Sequence, residues 1–418
     1  MVAIPPHLLR AIAQSNVNPL HVREAARASL LHTEHVLELC RQRRDAAIAI
    51  SSPSSATTTK QQIVPPHILR HAAESNDADE PRRLQSERTL QHIENVIGKV
   101  RGSQPHVDSG DKNKPPTKVY RAVHDVHASS NESDLPRKLI RDDENPVKDK
   151  AVNEVYENVG IVLEFYKTFK WLSIDNKNMD VISTVHFGKH YENAFWDPER
   201  LQMVFGDGGE FLNNFTGCID VIGHELTHAV TEHTSPLDYY GQAGALNEHI
   251  SDVFGIMVKQ KVQDEQSKVA DWLIGEDCIL PGVKGTALRS MKEPGTAYDD
   301  PVFGKDPQAA HMKQFKTMFE DNGGVHIFSG IPNRAFYLAS VSFGGYSWEK
   351  AGKIWWAALN AKKINPKCTF KQFADVTVDC AQDLFGSSAS KTVRKAWEEV
   401  GVMKPPAGPA PGNWCTVL

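Results

Sequence analysis

The chain has 418 residues, too many for one ordinary core and enough for two or three domains. With 40% apolar and 24% charged residues it has the composition of a globular protein, and a net charge of −5 offers no basic patch for a nucleic-acid partner. No apolar run reaches the roughly 18 residues of a membrane span. The start, Met1 to His7, lacks the charged and apolar segments of a secretory signal. The expectation is cytoplasmic residence, with export by a leaderless route as the alternative. Six cysteines (Cys40, Cys218, Cys278, Cys368, Cys380, Cys415) form no C-x-x-C pair, so free thiols are expected.

The N-terminal region repeats itself. Pro5-Pro6-His7-Leu8-Leu9-Arg10 returns as Pro65-Pro66-His67-Ile68-Leu69-Arg70, and Ser15-Asn16 as Ser75-Asn76. In each copy the proline pair fits a helix start, and apolar residues follow at helical spacing. A second amphipathic stretch follows each copy, near Arg27–Arg41 and Glu87–Val100. We divide this region into a helical unit at 1–50, a linker at 51–62 rich in Ser, Pro and Thr, and a second unit with its own linker at 63–117.

From 118 the texture changes. Strand character is expected at Lys118–Val126, Val181–Phe187 and Met203–Gly208, with a helix over Val147–Phe169. After Asp220 mainly helix is expected until Val402. The outline is α+β: a β-rich lobe at 118–235, a helical lobe at 236–403, and an extended Pro-rich tail at 404–418.

Within Val221–Thr231 stands His224-Glu225-Leu226-Thr227-His228. On a helix, positions four apart share a face, so both imidazoles can hold one zinc ion. Glu225, beside that ion, can act as general base toward an attacking water. Two histidines leave catalytic zinc short of three protein ligands, and Glu248, in Gly244–Asp252, supplies the third. Asp252, one turn further on, can accept the other ring N–H of a liganding histidine.

With Asn247-Glu248 and Ser251-Asp252-Val253-Phe254-Gly255 behind it, this pattern resembles the thermolysin family of zinc peptidases, and matches run from about Val119 to Val402. The resemblance implies a two-lobed fold with the active-site helix between the lobes. It implies that Asn193 and Ala194 hold substrate on an edge strand, and that Tyr239 and His326 donate to the oxyanion. Asp321 would orient His326, Asn247 would support the metal site, and Arg289 would grip a substrate carbonyl. Leu212, Phe215, Val221, Ile274, Cys278 and Leu288 match the cleft wall. All are apolar or nearly so, which predicts cleavage before bulky apolar residues.

Two departures stand out. Asp220, Asp271 and Glu276 match ligands of the family's paired calcium site, but Lys259 replaces the bridging carboxylate and Leu273 another ligand. Calcium is therefore not expected, with the Lys259 ammonium in its place. The Pro-Pro-His start resembles the protealysin-like branch, whose short propeptide restrains the enzyme, and here it is present twice. One copy or both would inhibit in cis; the alternative for one of them is a folding or interaction module. Cys415-Thr416-Val417-Leu418 fits a prenylation pattern, which would add weak membrane contact. The competing function, a silent peptide clamp on the same fold, is disfavoured because ligands, base and oxyanion donors are all present.

Overall fold

The computed structural model describes residues 4–33 and 118–405, apart from positions 190, 199, 210, 211, 302 and 320. The second Pro-Pro-His unit, both linkers and the tail with Cys415 lie outside the described residues.

Proline at the first helical position loses no hydrogen bond, and it opens α1 (Pro6–Gln14) where the repeat motif predicts a helix. Leu8, Leu9 and Ile12, spaced for one face, are fully buried. A second helix, α2, covers 20–33.

Five strands form the main sheet: β1 (Arg121–Asp125), β2 (Lys138–Arg141), β3 (Val181–Val185), β4 (Ala194–Asp197) and β5 (Gln202–Phe205). Their order is β2-β1-β3-β5-β4. The inner three run parallel, and β2 and β4 are antiparallel edges. Asn193–Trp196 thus lies on a sheet edge, where a backbone can still accept a partner. Asp149 starts α3 (Lys150–Lys167) by accepting the N–H groups of Ala151 and Val152. The face carrying Val152, Val155, Val159 and Val162 is buried.

Next come α4 (Ile219–Thr234) and α5 (Gly241–Val262). Every residue from Asp220 to Thr231 and from Ala243 to Gln260 is buried, so these helices run through the core rather than over it. They cross at two glycines. A Cβ on Gly255 would lie 2.5 Å from the Asp220 carbonyl oxygen, and one on Gly223 would lie 3.0 Å from the Gly255 Cα. Tyr166 of α3 stacks on Phe254 at 5.4 Å, and its hydroxyl meets Thr227 Oγ1 at 2.6 Å, locking α3 to both.

The mainly helical stretch expected after Asp220 contains a non-helical segment. Between α5 and α6 (Asp321–Phe328) lie two short ribbons, β6 (Leu273–Ile274) with β7 (Arg289–Ser290) and β8 (Asp299–Asp300) with β9 (Gly304–Lys305). Gly275, Gly282, Gly295 and Gly304 have positive φ there, and carboxylates replace helical carbonyls as acceptors. Asp306 Oδ2 takes the N–H groups of Gly295 and Ala297, at 3.1 and 3.0 Å. Helix then resumes with α7 (Gly330–Phe343), α8 (Ala351–Asn360) and α9 (Phe370–Glu399), the last opened by a Thr369–Gln372 capping box.

Candidate active site

The spacing of His224 and His228 on α4 places their Nε2 atoms 3.0 Å apart. Each ring is held from behind. His224 Nδ1 donates to Asp252 Oδ1 at 2.9 Å, and His228 Nδ1 donates to Asn247 Oδ1 at 2.8 Å, with Ser251 Oγ at 2.9 Å. Carboxylate and amide oxygens only accept, so the protons sit on Nδ1 and the Nε2 lone pairs face one another. From α5 the Glu248 carboxylate approaches these nitrogens at 3.4 and 3.5 Å. The three ligand atoms lie within 4.8 Å of one another, all buried.

Two lone pairs and a carboxylate facing one buried point are mutually repulsive unless a cation joins them. Glu248 Oε2 and Glu225 Oε1 are moreover buried with no hydrogen-bond donor. Three donors of this chemistry fit zinc. Burial pushes the His228 pKa well down, favouring the neutral ligand form. Burial opposes ionisation of Glu248 too, but the neighbouring histidines, His326 foremost, outweigh it and hold its pKa well below the usual value.

Glu225 points into the same space. Its Oε2 accepts the backbone N–H of Trp196 from β4 at 3.0 Å, and burial raises its pKa to about 7. The Tyr239 hydroxyl donates to Glu248 Oε1 and lies 3.4 Å from His326 Nε2. Asp321 grips His326 twice: Oδ1 lies 2.7 Å from Nδ1, and Oδ2 accepts the backbone N–H at 2.9 Å. That grip needs the turn at Asn322, Gly323 and Gly324, whose φ values of 49, 83 and 80° are left-handed. Burial alone would lower the His326 pKa, but Glu248 and Asp321 override it and raise it. Arg289, on β7, sends Nε and Nη2 to Asp252 at 2.9 and 2.7 Å.

Leu212, Phe215, Val221, Ile274, Cys278 and Leu288, expected to line the cleft, are all buried and come from linked segments. Leu288 N–H donates to the Ile274 carbonyl at 2.9 Å, Asn213 N–H donates to the Cys278 carbonyl at 2.9 Å, and Leu212 bridges to Ile279. Sequence reasoning missed three groups. Asn333 Nδ2 donates to Asp252 Oδ2 at 2.8 Å, the Trp196 N–H anchors Glu225, and buried Glu192 accepts the Leu212 N–H at 2.8 Å. None carries a local signal, because each role arises only from tertiary packing.

The first Pro-Pro-His unit lies in the cleft. Asn193 Oδ1 accepts the Ile4 N–H at 2.8 Å, and Asn193 Nδ2 donates to the Ile4 carbonyl at 3.4 Å and to Thr33 Oγ1 at 3.1 Å. Glu192 N–H donates to Ser29 Oγ at 3.0 Å, and His7 Nε2 lies 3.2 Å from the Tyr298 hydroxyl. The His32 ring packs among Phe187, Tyr191 and Phe195, with centroids 4.6 to 5.2 Å away.

Outside the site, Lys259 Nζ donates to Asp271 at 3.2 Å, to the Leu273 carbonyl at 3.1 Å and to Glu276 Oε2 at 3.1 Å. An ammonium thus sits among the residues that match the family's calcium ligands.

A sheet-edged cleft, a His-His-Glu cluster and an adjacent buried carboxylate define a metallopeptidase. The sequence matches the thermolysin metallopeptidase catalytic domain over residues 99–232, that family's alpha-helical domain over 235–402, and the protealysin propeptide over 61–105. Protease PrtS of Photorhabdus sp. (strain Az29) is 44% identical over 346 residues, 81% of this chain and 91% of the relative. An extracellular metalloprotease of Pectobacterium carotovorum subsp. carotovorum is 43% identical over 343 residues, 81% and 96%. The solved precursor of protealysin from Serratia proteamaculans aligns with a TM-score of 0.67 at 44% identity, covering 82% of this chain and 99% of that one. The chain belongs to the thermolysin family and is a zinc metalloendopeptidase made with a propeptide. Among the described residues no helix is long and apolar enough to cross a membrane.

Proposed function

We propose that His224, His228 and Glu248 hold the zinc and that Glu225 is the general base, for hydrolysis on the N-terminal side of bulky apolar residues. The observation that carries this reading is the convergence of two facing imidazole lone pairs and a buried carboxylate on one point. Zinc bound there supplies Lewis-acid activation of a water and of a peptide carbonyl. Glu225, with a pKa near 7 and its Oε2 anchored on β4, takes the water's proton and returns it to the departing amine. Tyr239 and an imidazolium at His326 donate to the oxyanion, while Asp321 fixes the ring. Arg289, aimed by Asp252, reaches the substrate carbonyl. Leu212, Phe215, Val221, Ile274 and Leu288 receive the side chain after the scissile bond.

The pro-region acts in cis. Asn193, assigned with Ala194 to hold substrate backbone, bonds Ile4 instead, which supports residues 4–33 as an intramolecular inhibitor. The propeptide match falls on the other copy, at 61–105. At an offset of 60 most residues touching the cleft keep their chemistry: Ile4 and Val64, His7 and His67, Leu8 and Ile68, Ser29 and Thr89, His32 and His92; the exception is Thr33, whose counterpart Ile93 cannot accept the Asn193 hydrogen bond. Both copies therefore serve as inhibitors of one cleft, and deleting residues 1–60 leaves the enzyme latent. Lys259 stands in for calcium. The relative named an extracellular metalloprotease favours export over cytoplasmic retention. A lipid on Cys415 would add reversible membrane contact, which intact mass from the native host checks.

The test is cleavage of a quenched peptide with Leu or Phe after the scissile bond, followed over time with full-length protein and its Glu225→Gln variant. A lag that ends as the N-terminal units disappear, with no activity in Glu225→Gln, is expected. Activity from the first moment would remove the latency reading. No activity from zinc-loaded protein lacking residues 1–117 would favour the peptide clamp.

A further inference from the structure

Two thiols separated by 60 positions meet at the base of the active-site helix. Cys218 is the residue that precedes α4, and Cys278 closes a short turn, Glu276–Cys278, just after β6. Their Sγ atoms are 3.0 Å apart and both side chains are buried. Both backbones are fixed. Cys218 N–H donates to the Phe215 carbonyl at 3.1 Å, Cys278 N–H to the Gly275 carbonyl at 3.2 Å, and the Cys278 carbonyl accepts from Asn213 at 2.9 Å. The remaining polar contact of the pair is weak, Cys218 Sγ to the Asn214 carbonyl at 3.7 Å. A disulfide needs about 2.05 Å between sulfurs, so the two side chains must close by about 1 Å.

We propose that Cys218 and Cys278 are a disulfide-forming pair that, under oxidising conditions, clamps the start of the metal-binding helix to the cleft wall. The co-reactant is a low-molecular-weight disulfide. One protein thiolate attacks it, forming a mixed disulfide and releasing one small thiol. The second protein thiolate attacks the mixed disulfide and releases the other. Two protein thiols are oxidised, the small disulfide is reduced to two thiols, and the protons leave on them. Both thiols are buried away from a dissolved disulfide, so the exchange runs while this segment is open, during folding or local opening. Once formed, the bond is shielded from reductant by the same packing. Cys368 and Cys380 are buried too, but Cys368 Sγ contacts the Thr369 carbonyl at 3.5 Å, and among the described residues neither has a cysteine in contact.

The clamp closes a long loop that contains all three metal ligands, and thereby restrains the unfolded chain most where the site is built. Its test uses the full-length Glu225→Gln protein, which cannot digest itself. The protein is refolded in oxidised glutathione, denatured in N-ethylmaleimide and mapped by mass spectrometry. Expected is one linked peptide carrying unalkylated Cys218 and Cys278, and a melting point that falls by about 5 °C or more on reduction. Cys278→Ala should show no reductant-dependent shift. Full alkylation of both residues, linkage to other cysteines, or a linked form that melts with the reduced one would each overturn the proposal.

Discussion

Replacing Lys259 by methionine keeps the aliphatic stem and removes the ammonium. That ammonium sits 3.1 to 3.4 Å from Asp271, the Leu273 carbonyl and Glu276, on a side chain only 4% exposed. Breaking a fully buried pair costs about 3–5 kcal/mol, because a charge is left without compensation. Here two partners can rehydrate, since Asp271 and Glu276 are 35% and 46% exposed, and each such pair is worth at most about 1 kcal/mol. Asp220 cannot rehydrate. It is buried, burial already raises its pKa, and Lys259 is the main charge opposing that rise. The expected loss is therefore about 2–3 kcal/mol at pH 7. Urea unfolding of Glu225→Gln protein with and without Lys259→Met measures it. Millimolar calcium should leave the parent curve unmoved and shift that of Lys259→Glu, which restores a ligand. A loss under about 0.5 kcal/mol, or calcium stabilisation of the parent, would refute the argument.

Three further outcomes follow from the geometry. His326→Ala and Tyr239→Phe, assayed on propeptide-free enzyme, should each lower kcat by about 100-fold or more with little change in KM, because their donors act on charge that develops only in the transition state. Asp252→Asn should weaken zinc affinity about 10–100-fold in a competition with chelator, since it unseats both His224 Nδ1 and Arg289. His186 carries a pH signature. Its hydrogen bond to Asp207, aided by that to Asp149 and opposed by burial, raises its pKa to about 9. A raised folded pKa gives stability that is complete below the unfolded value of about 6.5 and is lost as pH rises through about 9. After allowance for solvent screening, His186→Gln should cost about 1 kcal/mol at pH 6 and almost nothing at pH 10 in denaturant titrations.

The metal cluster was legible because it is local. Positions four apart on α4 and the Glu248–Asp252 spacing on α5 are helix geometry written directly in residue order. Tyr239, His326 and Arg289 entered through family resemblance, since a single aromatic or charge says nothing of where it folds. The Trp196 amide on Glu225 and Asn333 on Asp252 were illegible, because a backbone N–H and a lone Asn acquire their targets only when β4 and α7 are in place. The mainly helical reading after Asp220 holds, but it did not single out the ribbons between α5 and α6, where left-handed glycines and turn-forming carboxylates set the backbone. The repeat predicted two similar units but not which would sit in the cleft, since most contact residues recur in like form, Thr33 and Ile93 apart.

The Gly223–Gly255 crossing has a consequence for assembly of the metal centre. With backbone against backbone there is no side chain to yield, so the two ligand-bearing helices behave as one welded joint. His224 and His228 on one arm and Glu248 on the other keep their separation without help from the ion. Chelation should then silence the enzyme while leaving its far-ultraviolet dichroism intact, unlike a zinc finger, where metal and fold are lost together. A single methyl group at Gly255 would wedge the arms apart against the Asp220 carbonyl, and the triangle of ligands would open with them.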